Sequence, residues 1–226
     1  MTQRFSMKGH YIFFILASLI FWNVSTIQAF EYQGIIYDVI DAEAKTAKVS
    51  RGNVVSGDVV IPSIVSDGEN EFTVIEIETR AFADCGGLTS LKMPETVTTI
   101  GTSIFRNCTD LRNAELSSNL TEIPNLTFGA CSSLYEIRIP NSVSLIGSTA
   151  FKDCTGLKDF YIEDGPEPIT IYTLWIKDLS IKNLYVGREL KLQQSSNLTT
   201  VTNFCPNLES IILASNMYLE CHNNQK

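Results

Sequence analysis

The chain has 226 residues, 44% of them hydrophobic and 19% charged, and a formal net charge of −8. That apolar fraction supports a buried core and excludes a disordered chain, a collagen-like fibre and a multi-span membrane protein. The acidic balance argues against nucleic acid as the partner, which calls for a concentrated basic face. With only two histidines in the chain, histidine-based catalysis has little to work with.

Arg4, Lys8 and His10 precede an uninterrupted run of apolar or small residues over 11–22, and Ala29 follows a short polar stretch. This is the layout of a secretory signal peptide over 1–29, and the apolar run is too short to span a bilayer. It predicts cleavage near Ala29, with export to the cell surface, the periplasm or the medium and no membrane span afterwards. A retained interfacial anchor is the alternative. Residues 30–57 read as an N-terminal cap, with strands over 34–40 and 46–51 forming a β-hairpin around 41–45.

From residue 58 onward, apolar columns recur. Phe82, Phe105, Phe128 and Phe151 are 23 apart, as are Cys85, Cys108, Cys131 and Cys154, and Leu88, Leu111, Leu134 and Leu157. The three-residue spacing of Phe82, Cys85 and Leu88 suits a single helical or 3₁₀ turn with one inward side. Leu91-Lys92-Met93 alternates like a short strand, and Pro94 and Pro140 end such strands because proline cannot donate to a ladder. Coils of this kind bury their apolar sides only by stacking. The columns therefore predict a right-handed leucine-rich-repeat solenoid over 58–226 with a parallel sheet along one face. Strand centres fall at Val59, Leu91, Ala114, Ile137, Phe160, Leu184 and Ile211, giving seven rungs. A loop of extra residues is expected over 63–72, irregularity over 164–204, and a weakly capped C-terminal end open to self-association.

The segment Gly57-Asp-Val-Val-Ile-Pro62 and the recurring units Ala81-Phe82-Ala-Asp-Cys85-Gly-Gly-Leu88 and Ala150-Phe151-Lys-Asp-Cys154-Thr-Gly-Leu157 carry a resemblance. They resemble the BspA-like family of leucine-rich repeat surface proteins, closely over 57–163 and loosely over 164–215. The resemblance implies an exported or surface-displayed bacterial binding scaffold associated with adhesion, and it implies no catalytic residues. Pro124 departs from the pattern, which has glycine there.

Other chemistries find little support. Zinc needs ligands that converge, and cysteines one rung apart in a linear column do not converge on an ion. Cys85, Cys108, Cys131 and Cys154 therefore read as small buried filler, Cys205 extends their column, and Cys221 stands apart near the tail. No nucleophile elbow, phosphate-binding loop or dinucleotide motif is present. Carboxylate pairs such as Glu163 and Asp164 read as solvated charge. Glycosylation sequons at Asn119, Asn125 and Asn197 matter only in a eukaryotic secretory route, which the resemblance disfavours. The chain thus reads as a non-enzyme without metal or cofactor.

Binding is expected on the outward strand positions. One column runs Val60, Lys92, Glu115, Arg138, Tyr161, Tyr185, Ile212, and alternate signs at Lys92, Glu115 and Arg138 suggest mutual pairing along the sheet. The candidate ligand-binding residues are Tyr161 and Tyr185, with Ile212 and Tyr135 beside them and Glu136 and Asp159 one column away. Exposed tyrosines on a rigid sheet offer flat apolar area and a hydroxyl at low entropy cost. The competing reading has them stacking on each other across rungs, or covered by residues 166–175. The expected partner is an extracellular protein or glycan, with a structural spacer or self-assembling scaffold as the alternative.

Overall fold

A computed structural model describes residues 28–172, 180–193 and 209–213. The signal segment up to residue 27, Cys205, Cys221, His222 and the sequon at Asn197 lie outside the described residues. Seventeen strands follow one another among the described residues: β1 (Ala29–Tyr32), β2 (Ile35–Asp41), β3 (Thr46–Val49), β4 (Gly57–Val60), β5 (Ile64–Ser66), β6 (Glu71–Ile77), β7 (Leu88–Lys92), β8 (Thr99–Ile100) and β9 (Asn113–Glu115). The remainder are β10 (Glu122–Ile123), β11 (Glu136–Ile139), β12 (Leu145–Ile146), β13 (Asp159–Ile162), β14 (Ile169–Tyr172), β15 (Asn183–Val186), β16 (Leu190–Gln193) and β17 (Ser210–Leu213). They wind into a β-solenoid of about six turns. One column of parallel strands runs β4-β7-β9 and then β11-β13-β15-β17, and a second runs β10-β12-β14-β16.

The expected helical or 3₁₀ turn is not formed: no helix occurs among the described residues. Each segment is instead a run of tight turns, in which Cys85 N–H donates to the Phe82 carbonyl and Leu88 N–H to the Cys85 carbonyl. Left-handed residues break every such run, at Arg80 and Asp84, Ser103 and Asn107, Leu126 and Ala130, and Asp153, with φ between 58° and 66°. A helix cannot pass through those positions. The inward three-residue spacing thus survives through consecutive turns.

The turns bury a phenylalanine column. Neighbouring ring centroids are 5.8 Å apart for Phe82 and Phe105, 5.4 Å for Phe105 and Phe128, and 5.1 Å for Phe128 and Phe151. Phe160 closes the stack edge-on at 78°. Beside it the cysteines are free, buried and hydrogen-bonded. Each thiol donates to a carbonyl of the preceding coil: Cys108 to Phe82 at 3.1 Å, Cys131 to Phe105 at 3.1 Å and Cys154 to Phe128 at 2.8 Å. Cys85 finds its acceptor in the Asn53 carbonyl at 3.0 Å. Burial pushes the Cys108 and Cys154 thiols up to about 12.

At the N-terminal end the hairpin of β2 and β3 is accompanied by β1, which pairs antiparallel with β2. The residues expected as a loop over 63–72 contain a second hairpin, β5 with the start of β6. Asp67 folds its turn by accepting N–H bonds from Glu69 at 2.9 Å and Asn70 at 2.7 Å, the side-chain turn typical of aspartate. Strand β6 pairs in parallel with β3 on one side and with β8 on the other, so the N-terminal sheet extends as far as β8. Asn53, buried to 2% exposure, ties the two regions, accepting from Ile36 N–H and donating to the Ser50 carbonyl.

Both columns are interrupted. Gly101 N–H donates to Ile77 and Gly147 N–H to Ile123, each at 2.8 Å. Pro124, in the equivalent place, has no N–H for Ile100, and β8 and β10 share no sheet. In the first column β9 and β11 are likewise unpaired. Between them Tyr135 N–H reaches the Arg112 carbonyl only at 3.5 Å, against 2.9 Å for Arg112 to Thr89 and for Lys158 to Tyr135.

Candidate binding face

Parallel register fixes the outward column. Arg138 lies opposite Tyr161, Tyr161 opposite Tyr185, and Tyr185 opposite Ile212. Alternation along each strand sends Phe160 and Leu184 into the core and leaves Tyr161 and Tyr185 half-buried on the face, with Ile212 exposed. Glu136 lies opposite Asp159, and Asp159 opposite Asn183. The structure therefore brings together five of the six residues expected here. Tyr135 is exposed but stands apart, in the column of Arg112 and Lys158, whose backbones bond to its own.

The two tyrosines do meet across rungs, with ring centroids 6.3 Å apart and planes tilted by 38°. Tyr185 donates its hydroxyl proton to Asp164 Oδ1 at 2.7 Å, and this bond holds the phenol above its ordinary pKa. Asp159 accepts from Asn183 Nδ2 at 2.6 Å. Of the residues expected to cover the pair, 169–172 run as β14 in the other column, between β12 and β16; residues 173–175 lie outside the described residues.

Pairing along the face differs from the simple alternation of sign. Lys92 does pair with Glu115, at 2.6 Å. Arg138 turns away from Glu115 to its own strand neighbour Glu136, at 2.9 Å, and lays its guanidinium 4.1 Å over the Tyr161 ring. The interruption between β9 and β11 removes the rung contact that would have placed Glu115 beside it. Arg138, Glu163 and Asp164 are the site residues that sequence reasoning missed. Two adjoining depressions result. One of about 440 Å³ lies over the interruption, and includes Glu115, Leu116, Glu136 and Glu163 in its wall. The other, of about 480 Å³, is lined by Arg138, Tyr161, Glu163, Asp164 and Tyr185. Among the described residues no three His, Cys, Asp or Glu side chains converge as a metal site.

Residues 69–179 match the family model of the BspA type leucine rich repeat region, in six copies. Those residues belong to that family. The same fold is seen in solved structures. A leucine rich cell surface protein from Faecalibacterium prausnitzii is 21% identical, with a TM-score of 0.57 over 84% of this chain and 55% of that one. A leucine rich repeat protein from T. pallidum is 26% identical, with a TM-score of 0.54 over 83% and 82%. The pneumococcal vaccine antigen PcpA is 20% identical, with a TM-score of 0.61 over 84% and 50%. The chain spans about half the length of the Faecalibacterium protein and of PcpA. No curated protein sequence matches it. No described helix is long and apolar enough to cross a membrane.

Proposed function

We propose that this chain is an exported, non-catalytic recognition module that binds an extracellular protein or glycan on the face of its first strand column. In this reading a signal peptide is removed near Ala29 and seven rungs of a 23-residue coil present the ligand face. The observation that carries the reading is the in-register column Tyr161, Tyr185 and Ile212, which sets aromatic and aliphatic surface in one line on a parallel sheet. Asp164 holds the Tyr185 ring in place through its hydroxyl, so little side-chain freedom remains to be lost on binding. The cell-surface description of the Faecalibacterium relative and the antigen description of PcpA support an exported setting.

The test is capture on an array of matrix proteins and mucosal glycans, comparing wild type with a Tyr161→Ala, Tyr185→Ala double variant. The expected result is binding that the double variant loses while keeping the wild-type unfolding transition. Undiminished capture by the variant overturns the reading. Concentration-dependent assembly in light scattering, without any capture, points to the spacer or scaffold role instead.

A further inference from the structure

We propose that the two depressions beside β11, β13 and β15 bind a basic extended peptide, seating a lysine or arginine side chain against Tyr185 between Glu163 and Asp164. The proposal rests on the recognition reading above and names the chemistry of its partner. Three observations carry it.

The face already holds one cation in this manner. The Arg138 guanidinium lies 4.1 Å over the Tyr161 ring and pairs with Glu136 at 2.9 Å, a carboxylate on one side and a π-face on the other. One rung on, Tyr185 offers a second ring beside two further carboxylates, with no cation stacked on it among the described residues.

The charge of the lining is one-sided. Glu115, Glu136, Glu163 and Asp164 stand against the single guanidinium of Arg138. Lys92 answers Glu115 and Arg138 answers Glu136. Glu163 is exposed and has no ion pair among the described residues. The other cation near it, Arg188, is buried and acts on Glu163 through charge without pairing with it, directing Nη1 to the Asn141 carbonyl at 2.6 Å and Nη2 to the Pro140 carbonyl at 2.9 Å. An uncharged sugar leaves this excess unanswered, whereas a basic side chain complements it.

The depressions also adjoin. Arg138 and Glu163 line both, so the open ground between β9 and β11 continues onto the tyrosine pair. That continuity gives an extended segment a path across rungs, with carboxylates along it and the tyrosine rings at one end.

The experiment uses the secreted protein and two labelled peptides, one alternating arginine with serine and its twin with citrulline for every arginine. In fluorescence anisotropy the arginine peptide is expected to bind at least about tenfold tighter than the citrulline twin, with affinity falling as salt rises. A Glu163→Gln, Asp164→Asn variant is expected to lose most of that preference, while Glu43→Gln, Glu69→Gln on the N-terminal sheet leaves it intact. Arg138→Ala frees Glu136 and the Tyr161 ring and is expected to raise affinity, a gain that misfolding does not produce. Equal binding of the two peptides, equal loss in the remote variant, or no binding of the arginine peptide overturns the proposal. Glycan or matrix capture that still depends on Tyr161 and Tyr185 while the arginine peptide fails defeats this inference alone; loss of both defeats the recognition reading too.

Discussion

The Cys108 thiol donates to the Phe82 carbonyl at 3.1 Å, one coil back, inside a fully buried column. That carbonyl also accepts the Cys85 N–H at 3.3 Å, so losing the thiol removes one of its two donors, and truncation adds a cavity. Cys108→Ala is therefore expected to destabilise the protein by about 1–3 kcal/mol in urea unfolding. Cys108→Ser keeps a donor and is expected to cost less. Equal losses in the two variants would assign the column's contribution to volume alone.

Cys108 and Cys154 hold their protons up to about 12 when folded, against an ordinary thiol value of 9.0. Between those values the unfolded chain gives up protons that the folded chain retains. Stability contributed by these thiols is thus complete below about pH 9 and is lost as pH rises toward 12, each withheld proton steepening the fall by about 1.4 kcal/mol per pH unit. Thermal unfolding scanned over that window is expected to show the decline. A thiol reagent near pH 8 is expected to leave Cys85, Cys108, Cys131 and Cys154 unmodified until denaturant is added; native-state labelling would contradict the burial.

What the sequence made legible follows from strict local period. The columns through Phe82, Cys85 and Leu88 gave the inward sides, and alternation at Leu91 and Ile137 gave strands in the register found. What stayed hidden depends on contacts without a period. The left-handed turns fall on Asp84, Asn107, Ala130 and Asp153; aspartate and asparagine tolerate that conformation, but the alanine among them leaves the column without a uniform signal. The hairpin over 64–77 depends on a single Asp67 carboxylate accepting two N–H bonds. In the site, the outward column was readable, but Arg138's choice of Glu136 and Tyr161 was not, because it follows from a ladder that lapses at β9. Pro124 was visible as a departure, and its missing N–H is the physical reason the second column opens there.

Glycine at 101 is required by close approach of the neighbouring coil. A Cβ there would lie 2.3 Å from the Thr79 nitrogen and 2.6 Å from the Thr79 Cα, both main-chain atoms. At Gly86 the nearest atom is Thr109 Oγ1 at 3.6 Å, an ordinary contact. Gly101→Ala is expected to cost roughly 3 kcal/mol or more, and Gly86→Ala to stay within about 0.5 kcal/mol. Denaturant midpoints of the two variants check this contrast, and a tolerated Gly101→Ala would argue against so tight a seam between coils.

The proposed cleavage after Ala29 would make Phe30 the first residue of the mature protein. Phe30 packs on Tyr37 at 5.8 Å and on Phe72 at 5.6 Å between ring centroids, so the new terminus starts on an anchored side chain. Intact mass of the secreted protein is expected to correspond to a chain beginning at Phe30. A full-length species in that fraction would remove the signal-peptide reading, and Phe30→Ala is expected to loosen β1, seen as faster amide exchange at Tyr37 and Val39, whose N–H groups face β1.

The two interruptions fall on different sides of successive coils. The coil of β7 and β8 meets the next through its turns and through β7 with β9, but not through β8. That next coil meets the following one through its turns and through β10 with β12, but not through β9. The turn side stays bonded across the second junction, with Phe105 N–H to Thr127 at 2.9 Å and Asn107 N–H to Gly129 at 2.8 Å. Each junction thus lacks ladder bonds on one flank only, and the two gaps lie at different positions around the rod, so no single side of the solenoid loses its ladder at both. What spans both gaps without a break is the phenylalanine stack, which makes side-chain packing the continuous thread of the middle coils.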